Sequence, residues 1–361
     1  MASSTRRAGR VVPKSRRAGA SDGSGADRTY SLRAVPRIVT LTINPCIDQS
    51  AAVEQVVPDR KLRCGPPRYE PGGGGINVAR AVRKLGGEAL AIYPAGGAAG
   101  ELLRSLLAEE GVAQRPLPIA GWTRENFNAR EETTGHQFRF VLPGPRLTRP
   151  EWEALLEEVA TLRPFPAYLV ASGSLPPGVP ADFLARLARR TRERGGRLAL
   201  DSSGEAATRA LDEGVFLVKP SLREFQHLTG LSDAEESHLV SEAKRWIETG
   251  RCEIVVLSLG AAGVLCVTAE TSERLLSPTV PVRSTVGAGD SMLAGIVLRL
   301  QQGRPLSEAL RFGVAAGAAT VMNPGTQLCH RMDAERLYKQ MAALRPPSER
   351  EILGRDMEGQ R

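Results

Sequence analysis

From Arg37 onward, short apolar runs alternate with longer segments of helical period, the order that a parallel sheet wrapped by helices imposes on a chain. The first run, Ile38 to Ile43, is β-branched and is stopped by Asn44-Pro45, which predicts a core strand. Further strands are expected near 89–94, 115–120, 167–171, 197–201, 215–218, 253–258 and 263–267. Helices are expected at about 75–86, 99–110, 148–162, 180–194, 204–212, 233–249, 288–302, 306–321 and 333–344. The fold class is therefore α/β, a three-layer αβα sandwich with a mainly parallel central sheet. Two stretches, 48–70 and 124–142, break the rhythm with alternating segments such as Phe138 to Leu142 and no intervening helix. They predict four strands of a small separate sheet, a lid over a site, whose exposed face a second protomer would cover; the plainer alternative is an extension of the main sheet.

Composition adds exclusions. Aromatic residues are only 4% of the 361, so Ala, Leu and Val carry most of the 42% hydrophobic content. No run approaches the roughly 18 apolar residues of a membrane span, which excludes a transmembrane role. The five cysteines are scattered without a CxxC pair, so neither a disulfide framework nor a zinc cluster is expected, and a reducing cytoplasm fits. The four histidines lack ligand spacing. The net charge of +8 invites a nucleic-acid reading until it is located: residues 1–36 hold eight basic and two acidic residues, leaving only +2 for the rest. That segment, rich in Ser, Gly and Ala, reads as a disordered basic extension, with an organellar transit peptide as the alternative. Residues 37–345 are expected to form the folded domain and 346–361 a flexible tail.

Three motifs carry chemistry. Ser284-Thr285-Val286-Gly287-Ala288-Gly289-Asp290 leads into an amphipathic helix, so small residues free backbone amides to converge on one anion at its positive end. Asp290 in that turn is placed to take a proton from a hydroxyl attacking phosphorus; as a simple N-cap it would leave Gly-Ala-Gly unexplained. Four consecutive glycines, Gly72 to Gly75, run into Ile76-Asn77 and a second helix, which suits close approach by a polar ligand. Asp48 and Ser172-Gly173-Ser174 follow core strands, where open α/β sheets bind ligands; Asp48 reads as a hydroxyl acceptor or as a turn former. Neither a G-x-G-x-x-G fingerprint after the first strand nor a Walker P-loop is present.

Together, Gly-Ala-Gly-Asp and the glycine run resemble the two signatures of the ribokinase-like sugar kinases, the phosphofructokinase B family, over everything from Thr40 to the last helix. Lys61 to Cys64, Glu70 to Arg80, Trp122 to Arg124, Phe138 to Phe140 and Ser202 to Glu205 are similar to the branch that phosphorylates fructose 6-phosphate. The resemblance implies ATP-dependent phosphorylation of that sugar at its 1-hydroxyl, Asp290 as general base and the amides of Gly287, Ala288 and Gly289 as anion hole. It implies that Asp48, Gly73, Gly74, Asn77 and Ser174 hold the sugar, and that Arg124 and Arg139 on lid strands pair with its phosphate. Ser258, Leu259, Gly260 and Gly263 resemble the nucleotide loop, with Val314 and Ala318 beside the adenine. Lys219, Ser221 and Glu224 fall on a Lys-Pro-Asn-x-x-Glu segment in which Ser221 replaces Asn, Glu224 organising water around Mg²⁺. A K⁺ site is implied at Ser284, Val286, Thr320, Asn323, Gly325 and Gln327, and Lys61, on a lid strand, is similar to a residue tied to ATP inhibition. The implied assembly is a homodimer through the lid sheets. Fructose 1-phosphate or tagatose 6-phosphate kinases are the near alternatives, and a non-catalytic binding protein is the distant one.

Overall fold

The first apolar run forms β1 (Ile38–Leu41), buried at all four positions. This computed structural model describes Met1 and residues 35–232 and 235–343, so the expected basic extension (all but its last residues) and C-terminal tail lie outside the described residues. All the elements below belong to one compact unit. On one side of β1 lie β4 (Leu90–Ala95) and β5 (Ala113–Pro118). On the other lie β8 (Tyr168–Ser172), β9 (Arg197–Asp201), β10 (Val215–Val218), β11 (Cys252–Ser258), β12 (Val264–Val267) and β13 (Ser272–Leu275). The nine strands run in the order β13-β12-β11-β10-β9-β8-β1-β4-β5, parallel throughout except at β11-β12 and β12-β13. Continuous apolar burial in β1, β8 and β12 is what a sheet covered on both faces demands.

Helices supply the two covering layers: α1 (Gly74–Lys84), α2 (Gly97–Glu109), α3 (Arg149–Thr161), α4 (Phe183–Glu193), α5 (Gly204–Glu213), α6 (Leu222–Thr229), α7 (Glu236–Glu248), α8 (Ala288–Gln301), α9 (Leu306–Val321) and α10 (Arg331–Ala343). Two elements were not expected. The eight-residue α6 begins within the Lys-Pro segment, and the short edge strand β13 is half exposed along its length.

The alternating stretches form a second sheet, β3-β2-β6-β7, from β2 (Cys46–Val53), β3 (Arg68–Gly72), β6 (Arg124–Glu131) and β7 (Gln137–Phe140). It is separate from the main sheet, so the extension alternative does not hold. Strands β2 and β6 pair in parallel and the outer pairs are antiparallel. Period two divides this sheet into two faces. Glu70, Asp48 and Asn126 stand in register on one; Tyr69, Gln49, Phe127 and Phe140 stand in register on the other, with Phe127 and Phe140 stacked at 6.2 Å.

Candidate active site

Register places the site. Leu41 lies opposite Ala171, Ala171 opposite Leu200 and Leu200 opposite Val218, so the next positions, Thr42, Ser172, Asp201 and Lys219, share one row at the carboxyl edge of four parallel strands. The glycine run crosses this edge. The Thr42 hydroxyl accepts from the Ile76 amide at 2.7 Å, and a Cβ on Gly74 would lie 2.1 Å from Ser172 Oγ, so only glycine lets α1 seat there. On the far side, Gly287 takes the left-handed conformation (φ 76°) that turns the chain into α8. The ladder of α8 begins with the Ser291 amide donating to the Gly287 carbonyl at 2.9 Å; before it the Ala288 amide makes only a long 3.5 Å bond to Thr285 O, so the turn's amides are at most weakly engaged within the chain. Gly287 is the N-cap; Asp290 is the third helical residue and caps nothing with its side chain.

Asp290 and Asn77, 213 residues apart, meet here: Asn77 Nδ2 donates to Asp290 Oδ2 at 3.0 Å. Burial, and then the charge of Asp201, push the Asp290 carboxyl up to about 6 against the opposing pull of Asn77 and Lys219. Lys219, only 5% exposed, pairs with Asp201 at 3.1 Å, and its Nζ would stand 3.1 Å from a Cβ at Gly289. Burial opposes the Lys219 charge, but Asp201, Asp290 and Glu224 outweigh it and hold the ammonium above its ordinary value. The result is a fixed cation among three carboxylates beside the α8 turn; it is the helix N-terminal amides of that turn, and not the net charge of these side chains, that favour an anion. Asp201 was missed by sequence reasoning, although its place at the end of a strand is the same signal that marked Asp48.

For Asp48 the turn-former alternative does not hold. The residue lies inside lid strand β2, not in a turn after the core strand, because the chain resumes extended pairing directly after Pro45. It is buried, and Oδ1 accepts from Asn126 Nδ2 at 2.9 Å and from Cys46 Sγ at 3.4 Å. Ser174 is exposed and accepts from Asn44 Nδ2 at 3.2 Å. Arg124 is committed to main chain: it donates to Leu142 O and Asn44 O, both at 2.9 Å, which ties the two ends of the lid together. Arg139 is exposed on β7, across from Asn128. Lys61 sits in the exposed loop between β2 and β3, not on a lid strand as expected, because Pro58, Gly65 and two further prolines interrupt the pairing there.

A cavity of about 400 Å³ opens beside the α8 turn. Ser258, Gly260, Gly263, Val314, Ala318, Ala288 and Gly289 line it; Val280, Val282 and Met292 complete it and were not foreseen. Leu259 does not line it but closes the loop, its amide donating to Gly263 O at 2.9 Å. Ser221 and Glu224 form a capping box at the start of α6: Glu224 Oε2 accepts from the Ser221 amide at 2.8 Å and hydroxyl at 2.7 Å. Among the described residues no group of three or more His, Cys, Asp or Glu side chains is placed to hold a metal ion. At the expected K⁺ positions, Thr320 Oγ1 and Asn323 Nδ2 already donate to carbonyls, and Ser284 Oγ accepts from Val286 N at 3.3 Å. Gly325 and Thr326 border a second cavity of about 290 Å³ under the polar face of the lid, and Glu70 Oε2 accepts from Thr326 Oγ1 at 2.6 Å.

Residues 39–332 match the family described as pfkB family carbohydrate kinase. The ATP-dependent 6-phosphofructokinase isozyme 2 of Mycobacterium tuberculosis is 47% identical over 304 residues, covering 84% of this chain and 89% of the relative. That of Escherichia coli is 44% identical over 303 residues, 84% of this chain and 98% of the relative. A 1-phosphofructokinase of Bacillus subtilis is 31% identical over 286 residues, 79% of this chain and 93% of the relative. The solved phosphofructokinase-2 of Escherichia coli in complex with potassium superposes with TM-score 0.81 at 43% identity, covering 85% of this chain and 100% of the other. The same enzyme in complex with fructose-6-phosphate gives TM-score 0.81 at 41% identity with the same coverage.

Proposed function

This chain belongs to the pfkB family of carbohydrate kinases, and from that premise we propose that it is an ATP-dependent 6-phosphofructokinase, converting fructose 6-phosphate to fructose 1,6-bisphosphate in the cytoplasm. The observation that carries the substrate is the gap between its identity to the 6-phosphofructokinases and its lower identity to a 1-phosphofructokinase. In the reaction, the sugar's 1-hydroxyl loses its proton to Asp290 as its oxygen bonds to the γ-phosphorus of ATP and the bond to ADP breaks. Asn77 holds the base by its second oxygen, leaving Oδ1 for the hydroxyl. The amides of Gly287, Ala288 and Gly289, with Lys219 behind them, meet the charge on the transferring group. Asp48, Gly73, Gly74 and Ser174 hold the sugar hydroxyls, and Arg139, with Arg124 once released from its carbonyls, holds the 6-phosphate.

ATP occupies the 400 Å³ cavity, whose small apolar lining fits a purine and whose inner end is the α8 turn. With no cluster of carboxylates among the described residues to cage a metal, Mg²⁺ would arrive on the nucleotide's phosphates, and Glu224, whose Oε2 is held by Ser221, would meet its water shell. Bound there it neutralises phosphate charge. For K⁺, main-chain carbonyls of Ser284, Val286, Asn323, Gly325 and Gln327 would hold it; the Thr320 hydroxyl gives its proton to Ala316 O, which packs that loop and leaves its oxygen lone pairs for a cation. Ser221 keeps the capping role, which supports a helix terminus in place of direct nucleotide contact. Lys61, exposed in its loop, is assigned the ATP-inhibition role only by resemblance. Two protomers associate through the apolar face of the lid.

The test is ATP consumption by the purified chain with Mg²⁺ and K⁺ across fructose 6-phosphate, tagatose 6-phosphate, fructose 1-phosphate, fructose and ribose. The expected result is the highest kcat/KM for fructose 6-phosphate. A higher value for fructose 1-phosphate or tagatose 6-phosphate moves the substrate and keeps the base; no turnover with any of them rejects the reading.

A further inference from the structure

Arg80, in the second turn of α1, is 1% exposed, and a buried guanidinium needs an account of each donor. Nε and Nη2 fork onto Glu110, donating to Oε2 at 2.9 Å and Oε1 at 2.6 Å, and Glu70 Oε1 lies 3.9 Å from Nη2. These contacts fix the charge. Nη1 is left, and it donates to the Pro71 carbonyl at 2.7 Å and to Asn77 Oδ1 at 3.2 Å. The second contact determines which way round the Asn77 carboxamide sits. With its oxygen facing Arg80, its NH₂ faces Asp290, as the 3.0 Å bond requires. The flipped amide would set its NH₂ against a guanidinium and its oxygen against a carboxylate, unfavourable at both ends.

Resting on the kinase reading above, we propose that Arg80 is a positioning residue for phosphoryl transfer: by holding Asn77 Oδ1 it aims the Asn77 NH₂ at Asp290 and so keeps the base in its working rotamer. Nothing else on α1 does this. The other groups around Asp290 come from other elements, Ser172 from β8, Asp201 from β9 and Lys219 from the end of β10, and none of them contacts the Asn77 carbonyl oxygen. A residue serving only to neutralise Glu110 would not need Nη1 on Asn77.

The experiment compares Arg80→Lys, which keeps a positive charge against Glu110 but lacks the fork, with Asn77→Ala and the double variant. Steady-state kinetics on fructose 6-phosphate is one readout; side-chain amide NMR of the full chain carrying ¹⁵N-asparagine is the other. Arg80→Lys is expected to lower kcat roughly 10-fold with KM for ATP unchanged, as coupled contacts of this kind allow. In the Asn77→Ala background the same change is expected to lower kcat less than about 2-fold, and in Arg80→Lys the Asn77 NH₂ resonance is expected to lose its carboxylate-bonded shift. An equal kcat loss in both backgrounds, or an unmoved Asn77 resonance, overturns the proposal. Should Arg80→Lys not fold, Glu110→Gln loosens the fork from its other end and is judged by the same readouts. If the unmodified protein turns over no sugar, the kinase reading falls, and the NMR readout still decides whether Arg80 orients Asn77.

Discussion

A carboxyl held at about 6 by burial and a neighbouring charge is ionised at neutral pH yet more basic than a free aspartate, which suits Asp290 to remove a hydroxyl proton. Two outcomes follow at the residue scale. The value of kcat/KM should rise with pH through about 6 and then level, checked by a pH series with saturating Mg²⁺. Asp290→Asn should lower kcat by about 10²-fold or more, the usual range for a lost general base. Stability should move the other way. The folded protein binds the Asp290 proton more tightly than the unfolded chain, so the associated stability is present below the unfolded value of 3.8 and is lost as pH rises toward 6. Asp290→Asn should therefore raise the thermal midpoint at pH 8 but not at pH 4; a lower midpoint at pH 8 would contradict the assigned cause. The sequence marked Asp290 because it stands in a small-residue turn at a helix start, where it can take a proton from a hydroxyl beside an anion. It did not mark Asp201, whose partner Lys219 is 18 residues away on the neighbouring strand.

At the scale of elements, α6 shows a signal present in the sequence but overlooked. Ser221-Leu222-Arg223-Glu224 is a capping-box pattern, and both reciprocal bonds form. Ser221→Ala should cost about 1 kcal/mol in urea unfolding, and Ser221→Asn, another good N-cap, should recover most of it. The edge strand β13 offered no such signal: Ser272-Glu273-Arg274-Leu275 is polar, short and defined only by its pairing with β12. Lid strands β2 and β6 were legible as alternating segments, but their direct parallel pairing was not. It joins residues 78 apart, such as Asp48 and Asn126, through register that period two alone leaves free.

For the whole molecule, the lid's outer face carries exposed Tyr69, Phe138 and Phe140 beside Val141 and Leu142, a contiguous apolar surface of the kind that marks an interface. With the proposed pairing through this face, the unmodified chain should have the mass of a dimer by light scattering at micromolar concentration and Phe140→Asp combined with Tyr69→Asp that of a monomer; equal masses would reject this face as the interface. The lid's polar face borders the 290 Å³ cavity, and Glu70 ties it to the loop at Thr326. The sequence by itself determined the α/β class, the two alternating stretches outside the strand-helix rhythm, the two glycine-rich helix entries and the acid that follows one of them, because periodicity and glycine placement are local constraints; that the alternating stretches form a separate sheet was decided by the structure. Only the tertiary structure decided that Asn77 meets Asp290, that Arg80 sets the direction of that contact, that Lys219 sits among three carboxylates and that Arg124 spends its donors on lid carbonyls. The Arg80–Asn77 bond is local to one helix and gains its meaning only from burial, while the others depend on strand register and burial, properties of residues far apart in the chain that leave no local trace.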